Sequence, residues 1–318
     1  MSEVAVVGFA GADRSLTTSG VETLVPVITA ALADAGLARR DVDFWCSGSS
    51  DYLAGRAFSF VSAVDAIGAV PPISESHVEM DAAWALYEAY LKILAGEAET
   101  ALVYGFGKGT AGDLFRVLSL QLDPYTVAPL WPDAVSVAAL QARLALDAGL
   151  FTEDDMAGVA GRRADGPYVS CPLREHDVAE VADGAAAMVL ASRDRARGLR
   201  ERPAWISGFA HSVDPQGLGE RDLTTVPSAV AAARDAGLTA PVDVAALHAP
   251  FTHQELLLRR VVRAGAYLPF GANAMFSAGL SRIGAAAVEV MSGRARTAAG
   301  HATSGPALQQ NLVCAMEA

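Results

Sequence analysis

A chain of 318 residues with 52% hydrophobic and 19% charged residues can bury a large core, in one big domain or two fused halves. Its formal charge of −12 offers no basic surface to a phosphate chain, which argues against nucleic acid as a partner. The apolar runs, such as ALVY at 101–104 and GAAAMVLAS at 184–192, fall far short of the roughly 20 residues that cross a bilayer, so no membrane is expected either.

The N-terminal stretch MSEVAVVGFAGADRS lacks a basic leader region, and a cytoplasmic protein is expected. Cys46, Cys171 and Cys314 are widely separated, with no Cys-x-x-Cys or Cys/His spacing. Buried reduced thiols are therefore expected, with no disulfide framework and no metal site.

In chain order, short β-branched runs alternate with Ala-rich helical runs, an α/β pattern. A strand at 4–9 precedes a helix over about 21–35, a strand at 42–48, a helix near 56–66 and a strand at 76–80. Asp81 then makes a good N-cap for a buried helix whose apolar positions Ala82, Ala85, Leu86, Ala89, Tyr90 and Ile93 share one face, and a strand comes next at 100–106.

After an irregular middle the same phrasing returns. ALADAGLARRDVDFWCSG at 31–48 is matched by AAARDAGLTAPVDVAALHAP at 231–250: a helix, an Asp-Ala-Gly-Leu stop with Gly as the expected C-cap, a short loop and a strand. The repeat implies two similar halves, 1–195 and 196–318, the first carrying a loop insertion at about 106–180.

Within that insertion a Pro- and aromatic-containing loop leads into two helices, a natural pocket cover. Tyr125 and Trp131 either line an apolar ligand channel or pin the loop to the body. Arg162 and Arg163, the densest basic pair in the middle of the chain, form either a solvated helix face or a contact to a ligand phosphate.

Three segments resemble the thiolase superfamily, in particular its sterol-carrier and lipid-transfer branch. LVYGFGKG at 102–109 is similar to that branch's Gly-Phe-Glu-Lys-Met segment, DGAAAMVLAS at 183–192 to its Asp-Gly-Ala-Ala-Ala strand, and ALHAPFTHQELL at 246–257 to its His-Asp-Cys-Phe-Ser-x-Asn-Glu-Leu motif. Together with the repeat, their order extends the resemblance over almost the whole chain.

The resemblance implies the thiolase fold: two similar βαβαβαββ halves in a five-layer α/β/α/β/α arrangement. It also implies a homo- or heterodimer, an acyl-CoA substrate with no further cofactor, and a centre where the buried helices of the two halves point their N-termini at each other; the strand at 75–80, which leads into the buried helix and would otherwise leave a sheet edge open, is expected to pair with the second subunit.

The catalytic positions depart from the family pattern. In register with the thiolase helix, Glu79 stands where the nucleophilic Cys belongs, and a shift of two places Asp81 there instead. The Gly-His-Pro station reads GANAM, with Asn273 and no His, and the Cys-x-Gly loop is replaced by TSGPALQQN with Ala307, while Cys314 lies further along in the last strand. His248 remains in its motif. Thiolase chemistry needs the Cys for its covalent acyl-enzyme, so a working thiolase is excluded.

The pattern resembles the Cys-lacking acyl-CoA aldolases of steroid side-chain degradation, which cleave a β-hydroxyacyl-CoA by retro-aldol reaction. His248, expected to titrate near neutrality, is the leading base, with Glu79 or Asp81 as its electrostatic partner and Asn273, with nearby backbone N–H groups, as enolate donor. His253 sits at a helix start, where it either caps the helix or binds substrate, and His301, in a loop approaching the site, is a further substrate-binding candidate. A second reading makes the chain the non-catalytic subunit of a heteromeric aldolase, beside a second thiolase-like chain or an OB-fold protein. A third makes it a lipid-binding protein without turnover.

Overall fold

The computed structural model describes residues 3–13, 20–51, 59–68 and 74–318. Strand β1 (Val4–Asp13) leads to helix α1 (Gly20–Ala35), β2 (Phe44–Gly48), the short α2 (Val64–Ile67), β3 (Glu75–Val78), α3 (Ala82–Leu94) and β4 (Thr100–Lys108). The insertion carries α4 (Leu114–Leu120), α5 (Ala134–Asp147), α6 (Glu153–Val159) and a small hairpin, β5 (Tyr168–Ser170) with β6 (Leu173–Arg174). Then come β7 (Val181–Ser192), α7 (Arg193–Leu199), β8 (Ala204–Val213), α8 (Pro227–Asp235), β9 (Val242–Ala246), α9 (Thr252–Arg259), β10 (Ala264–Tyr267), β11 (Asn273–Ala274), α10 (Ala278–Met291), β12 (Thr297–Ser304) and β13 (Gln310–Glu317). The helix expected near 56–66 lies partly outside the described residues; its described part is a 3₁₀ turn over Ser59–Ala63 followed by α2.

The strands run β10-β9-β12-β13-β8-β1-β7-β4-β2-β3. Read outward from the central β1–β8 seam, each half has its first strand, then its last, then its fourth, second and third. The two inner pairings are antiparallel and the two outer ones parallel on both sides. The expectation of two similar halves holds at this level of topology.

Period-2 alternation along the strands sorts side chains between layers. On β1, Val4 and Val6 join a central core with α3 and α10, while Ala5 and Val7 join an outer core with α1 and α2. On β13, Leu312, Cys314 and Met316 enter the same central core, whereas Val313 faces α8 and α9. Five layers result: outer helices, sheet, the α3/α10 pair, sheet, outer helices. The central pair is built from small residues, Ala82, Ala83, Ala85 and Ala89 against Ala286 and Ala287, which lets two helices fit between two sheets.

Both expected helix stops form. Gly36 and Gly237 take φ of 68° and 73°, and Leu37 and Leu238 donate back to Leu32 and Ala233, the hydrogen bond that closes a helix C-terminus. Among the described residues, β3 is the last strand at one end of the sheet.

Candidate active site

A cavity of about 360 Å³ lies where the strand ends of both halves meet the insertion. Leu114, Phe115 and Leu118 of α4 and Val137 and Ala138 of α5 form an apolar cover, and Glu79, Asp81, His248 and Asn273 supply its polar side. On β4, a Cβ at Gly105 or Gly107 would collide with the backbone carbonyl of Phe276 or Met275, so these glycines let the 273–276 segment lie directly on the strand.

Asp81 caps two helices. Its Oδ1 accepts from Ala83 N at 2.9 Å at the start of α3 and from Leu280 N at 3.1 Å, and its Oδ2 accepts from Gly279 N at 3.0 Å, both at the start of α10. Ala82 N donates to Phe276 O at 3.0 Å, completing the junction. The two helix N-termini therefore do face each other, and the Asp81 carboxyl is the acceptor they share. Complete burial raises its pKa above the ordinary carboxylate range, against the pull of the three N–H groups. A Cβ on Gly279 would come within 2.6 Å of Asp81 Oδ1, so only glycine permits this approach.

His248 comes just after β9, and Asn273 is on β11. His248 Nε2 lies 3.1 Å from Asn273 Oδ1, while Thr303 N donates to His248 Nδ1 at 3.4 Å. The Thr303 N–H requires a bare Nδ1, so the neutral ring carries its proton on Nε2 and donates to Asn273 Oδ1. That in turn fixes the amide, leaving Asn273 Nδ2 with Met275 Sδ at 3.7 Å as its one partner among the described residues. Burial holds the His248 pKa at about 4, against the Asn273 hydrogen bond and with help from the nearby Arg282 charge. The expectation of a base titrating near neutrality is corrected: with its lone pair occupied and its charge excluded by burial, His248 orients Asn273.

Glu79 is the accessible carboxylate. Its side chain is 47% exposed; Oε1 accepts from Asp51 N at 2.6 Å and Oε2 lies 3.3 Å from His77 Nε2. His77 is held by Ser47 Oγ at 3.0 Å from Nδ1 and by the Phe60 ring stacked at 4.8 Å. Asp133, the other acid on the cavity, is committed to the α5 N-cap through Ser136 N and Oγ at 2.8 and 2.6 Å.

The remaining candidates lie elsewhere. His253 is fully buried in α9, 3.3 Å from Gln141 Oε1, and does not cap the helix, whose N-cap is Phe251. His301 belongs to strand β12 and not to a loop; it is fully buried, 2.9 Å from Asn311 Oδ1. Tyr125 and Trp131 are 89% and 79% exposed, so they neither line the cavity nor pin the loop. Arg162 and Arg163 are exposed at the end of α6. Cys46 and Cys314 are buried in the central core, where burial pushes both thiols up, whereas Cys171 is exposed, contrary to expectation, and none of the three lines the cavity. Among the described residues no group of His, Cys, Asp and Glu could hold a metal ion.

Sequence reasoning missed the backbone contributors. Phe276, Ala307 and Leu308 line the cavity with φ of 64°, 51° and 58°, a left-handed conformation costing on the order of 1–3 kcal/mol per residue. No glycine or asparagine marks these positions, so although Ala307 is picked out by its place in TSGPALQQN, the sequence does not show that the three backbones are left-handed.

The buried histidines predict acid sensitivity. His248 and His301 are held at about 4 and His253 at about 3, below the ordinary 6.5, in each case chiefly by burial. Protons therefore bind the unfolded chain more tightly, and stability is complete above pH ~6.5 and lost as pH falls toward ~4. By about pH 5 the loss is roughly 2 kcal/mol per histidine. Denaturant unfolding at neutral pH and near pH 5 checks this; equal midpoints would refute it.

A sheet order repeated in two halves, with facing helix N-termini between them, defines the thiolase fold. Among solved structures the chain is similar to the Ltp2-ChsH2(DUF35) aldolase, with 19% identity, 99% of this chain and 98% of that one covered, and a TM-score of 0.77. It is also similar to a monomeric SCP2-thiolase like protein type 1 from Mycobacterium smegmatis, with 19% identity, 99% and 77% covered, and a TM-score of 0.69. For human mitochondrial 3-ketoacyl-CoA thiolase the values are 15% identity, 100% and 99% covered, and a TM-score of 0.71. No protein-family model and no curated protein sequence matches. No helix among the described residues is long and apolar enough to cross a membrane.

Proposed function

We propose that this chain is a carbon–carbon lyase subunit that cleaves a β-hydroxyacyl-CoA with a bulky, steroid-like tail by retro-aldol reaction, without a covalent acyl-enzyme. The observation that carries the reading is the content of the cavity: a polarised amide donor and an accessible carboxylate, and no thiol. Glu79 takes the proton of the β-hydroxyl as the bond between the α and β carbons breaks. The bonding pair moves into the thioester carbonyl, and Asn273 Nδ2, its amide held by His248, donates to the resulting enolate oxygen. The proton then returns to the α carbon, leaving a short acyl-CoA and a ketone or aldehyde. The step balances with no redox partner, and the apolar cover from α4 and α5 suits a hydrophobic tail.

The chain would work in an assembly. The terminal place of β3 in the sheet, with no further strand on it among the described residues, supports pairing with a second subunit, because unpaired strand edges are ordinarily covered. A second thiolase-like chain or an OB-fold protein fits this reading, and the name of the Ltp2-ChsH2(DUF35) aldolase records such a two-component arrangement for that protein.

The test is incubation of the protein, alone and with its co-encoded neighbours, with a β-hydroxyacyl-CoA bearing a polycyclic tail. Release of the short acyl-CoA and the carbonyl fragment is expected, with intact mass showing no acyl group added to Cys46, Cys171 or Cys314. A stable adduct would overturn the non-covalent reading. Absence of cleavage in every combination would leave the lipid-binding alternative standing in its place.

A further inference from the structure

The imidazole of His77, on β3, bridges a buried serine and the accessible carboxylate. Parallel pairing of β2 with β3 sets Ser47 beside His77, and Ser47 Oγ lies 3.0 Å from Nδ1. On the other side of the ring, Nε2 lies 3.3 Å from Glu79 Oε2, while Glu79 Oε1 accepts from Asp51 N at 2.6 Å. The Phe60 ring stacks on the imidazole at 4.8 Å, with 23° between the planes. Neither Ser47 nor His77 lines the cavity, whereas Glu79 does. An ionised Glu79 can only accept a hydrogen bond, so in the neutral ring Nε2 carries the proton and donates to Oε2. Nδ1 is then bare and accepts from the Ser47 hydroxyl. Serine, histidine and acid thus stand in the reverse of a hydrolytic triad: the buried serine anchors the ring, and the carboxylate is the end that reaches the cavity.

We infer that His77 is a positioning residue for Glu79. A glutamate with 47% of its side chain exposed is free to turn about three torsions, and each orientation but one aims its lone pairs away from a bound substrate. Donors on both oxygens, Asp51 N and His77 Nε2, remove that freedom and leave one lone pair on each oxygen to take a proton. Ser47 and Phe60 fix the ring in turn, so the donor itself cannot swing away. The inference rests on the reading of Glu79 as the proton acceptor, yet it can be observed without cleavage. The proton that Glu79 returns to the α carbon in the lyase step is, in reverse, taken from that carbon, so a short acyl-CoA bound alone should exchange its α hydrogens with solvent. The C–H bond breaks, its electron pair moves into the thioester carbonyl, the proton on Glu79 is replaced from water, and a solvent hydrogen returns to carbon.

The experiment is uptake of deuterium from D2O into propionyl-CoA, read by mass spectrometry, for the protein alone and with its co-encoded neighbours. The Kd for CoA serves as the check on folding. Wild type is expected to exchange and Glu79→Gln not to. His77→Phe keeps a flat ring against Phe60 but has no N–H to offer. It should lower kcat for exchange roughly 10- to 100-fold, the scale of misplacing a reacting group by about 1 Å, with KM and the Kd for CoA within about twofold. His77→Gln, whose side-chain amide can donate to the same carboxylate oxygen, should recover most of the rate. Wild-type kcat in His77→Phe, a rise in KM as large as the fall in kcat, a His77→Gln variant no faster than His77→Phe, or no exchange by wild type in any combination would each overturn the inference. Exchange that depends on His77, without cleavage of any β-hydroxyacyl-CoA, would overturn only the lyase reading.

Discussion

Glu79→Gln is expected to lower retro-aldol turnover by roughly 10²- to 10⁴-fold, the range for a lost general base, with binding of CoA nearly unchanged. Glutamine keeps the length of the side chain and an oxygen for Asp51 N, so the loop after β3 retains its anchor; only the ability to take a proton is removed. No other acid on the cavity can substitute. Asp133 is spent on Ser136, and Asp81 is enclosed by three peptide N–H groups. A fall in kcat without a rise in KM would show that Glu79 acts in the chemical step and not in holding substrate. Full turnover in an active complex carrying Glu79→Gln would remove Glu79 as the proton acceptor; full turnover with His248→Ala as well would move the site to the partner and leave this chain the structural subunit.

The architecture is legible in the sequence because its signals are local. The Asp-Ala-Gly-Leu stops at 34–37 and 235–238 close α1 and α8 as expected, but the same four residues at 147–150 close α5, where Gly149 takes φ of 68° and Leu150 donates back to Ala145. The tetrapeptide thus marks a way of ending a helix and not kinship of the halves. That kinship rests on the next strand, β2 or β9, which holds the same place in each half of the sheet order. The site is legible only as a set of residue types. Glu79 and Asp81, two positions apart, are interchangeable in sequence; what separates them is α10, whose N-terminus arrives from nearly two hundred residues away and encloses one and not the other. The protonation of His248 depends on a peptide N–H of Thr303, which any residue but proline would supply. His301 reads as a loop residue because Gly300 precedes it; in the structure that glycine is where β12 crosses Ile283 of α10 at close range. Tyr125 and Trp131 signal a channel through their chemistry, yet the loop turns both to the surface.

Asp81 separates structure from chemistry. Asp81→Asn leaves one oxygen to accept from Ala83 N and Leu280 N, but its amide then meets Gly279 N, donor against donor in a buried site. Losing that hydrogen bond and stranding a buried N–H costs on the order of 3 kcal/mol. Asp81→Ala strands all three N–H groups, removes the α3 cap and should cost roughly 5 kcal/mol, close to half the stability of a typical domain. Urea unfolding should therefore show midpoints falling in the order wild type, Asp81→Asn, Asp81→Ala with similar slopes, while Glu79→Gln stays within about 0.5 kcal/mol of wild type. Activity measured below each midpoint completes the distinction: the fraction of Asp81→Asn that remains folded should bind CoA and retain turnover far above that of Glu79→Gln. If Asp81→Asn is instead as stable as wild type and inactive, the carboxylate between the helices is the working one, and the roles given to Asp81 and Glu79 are reversed.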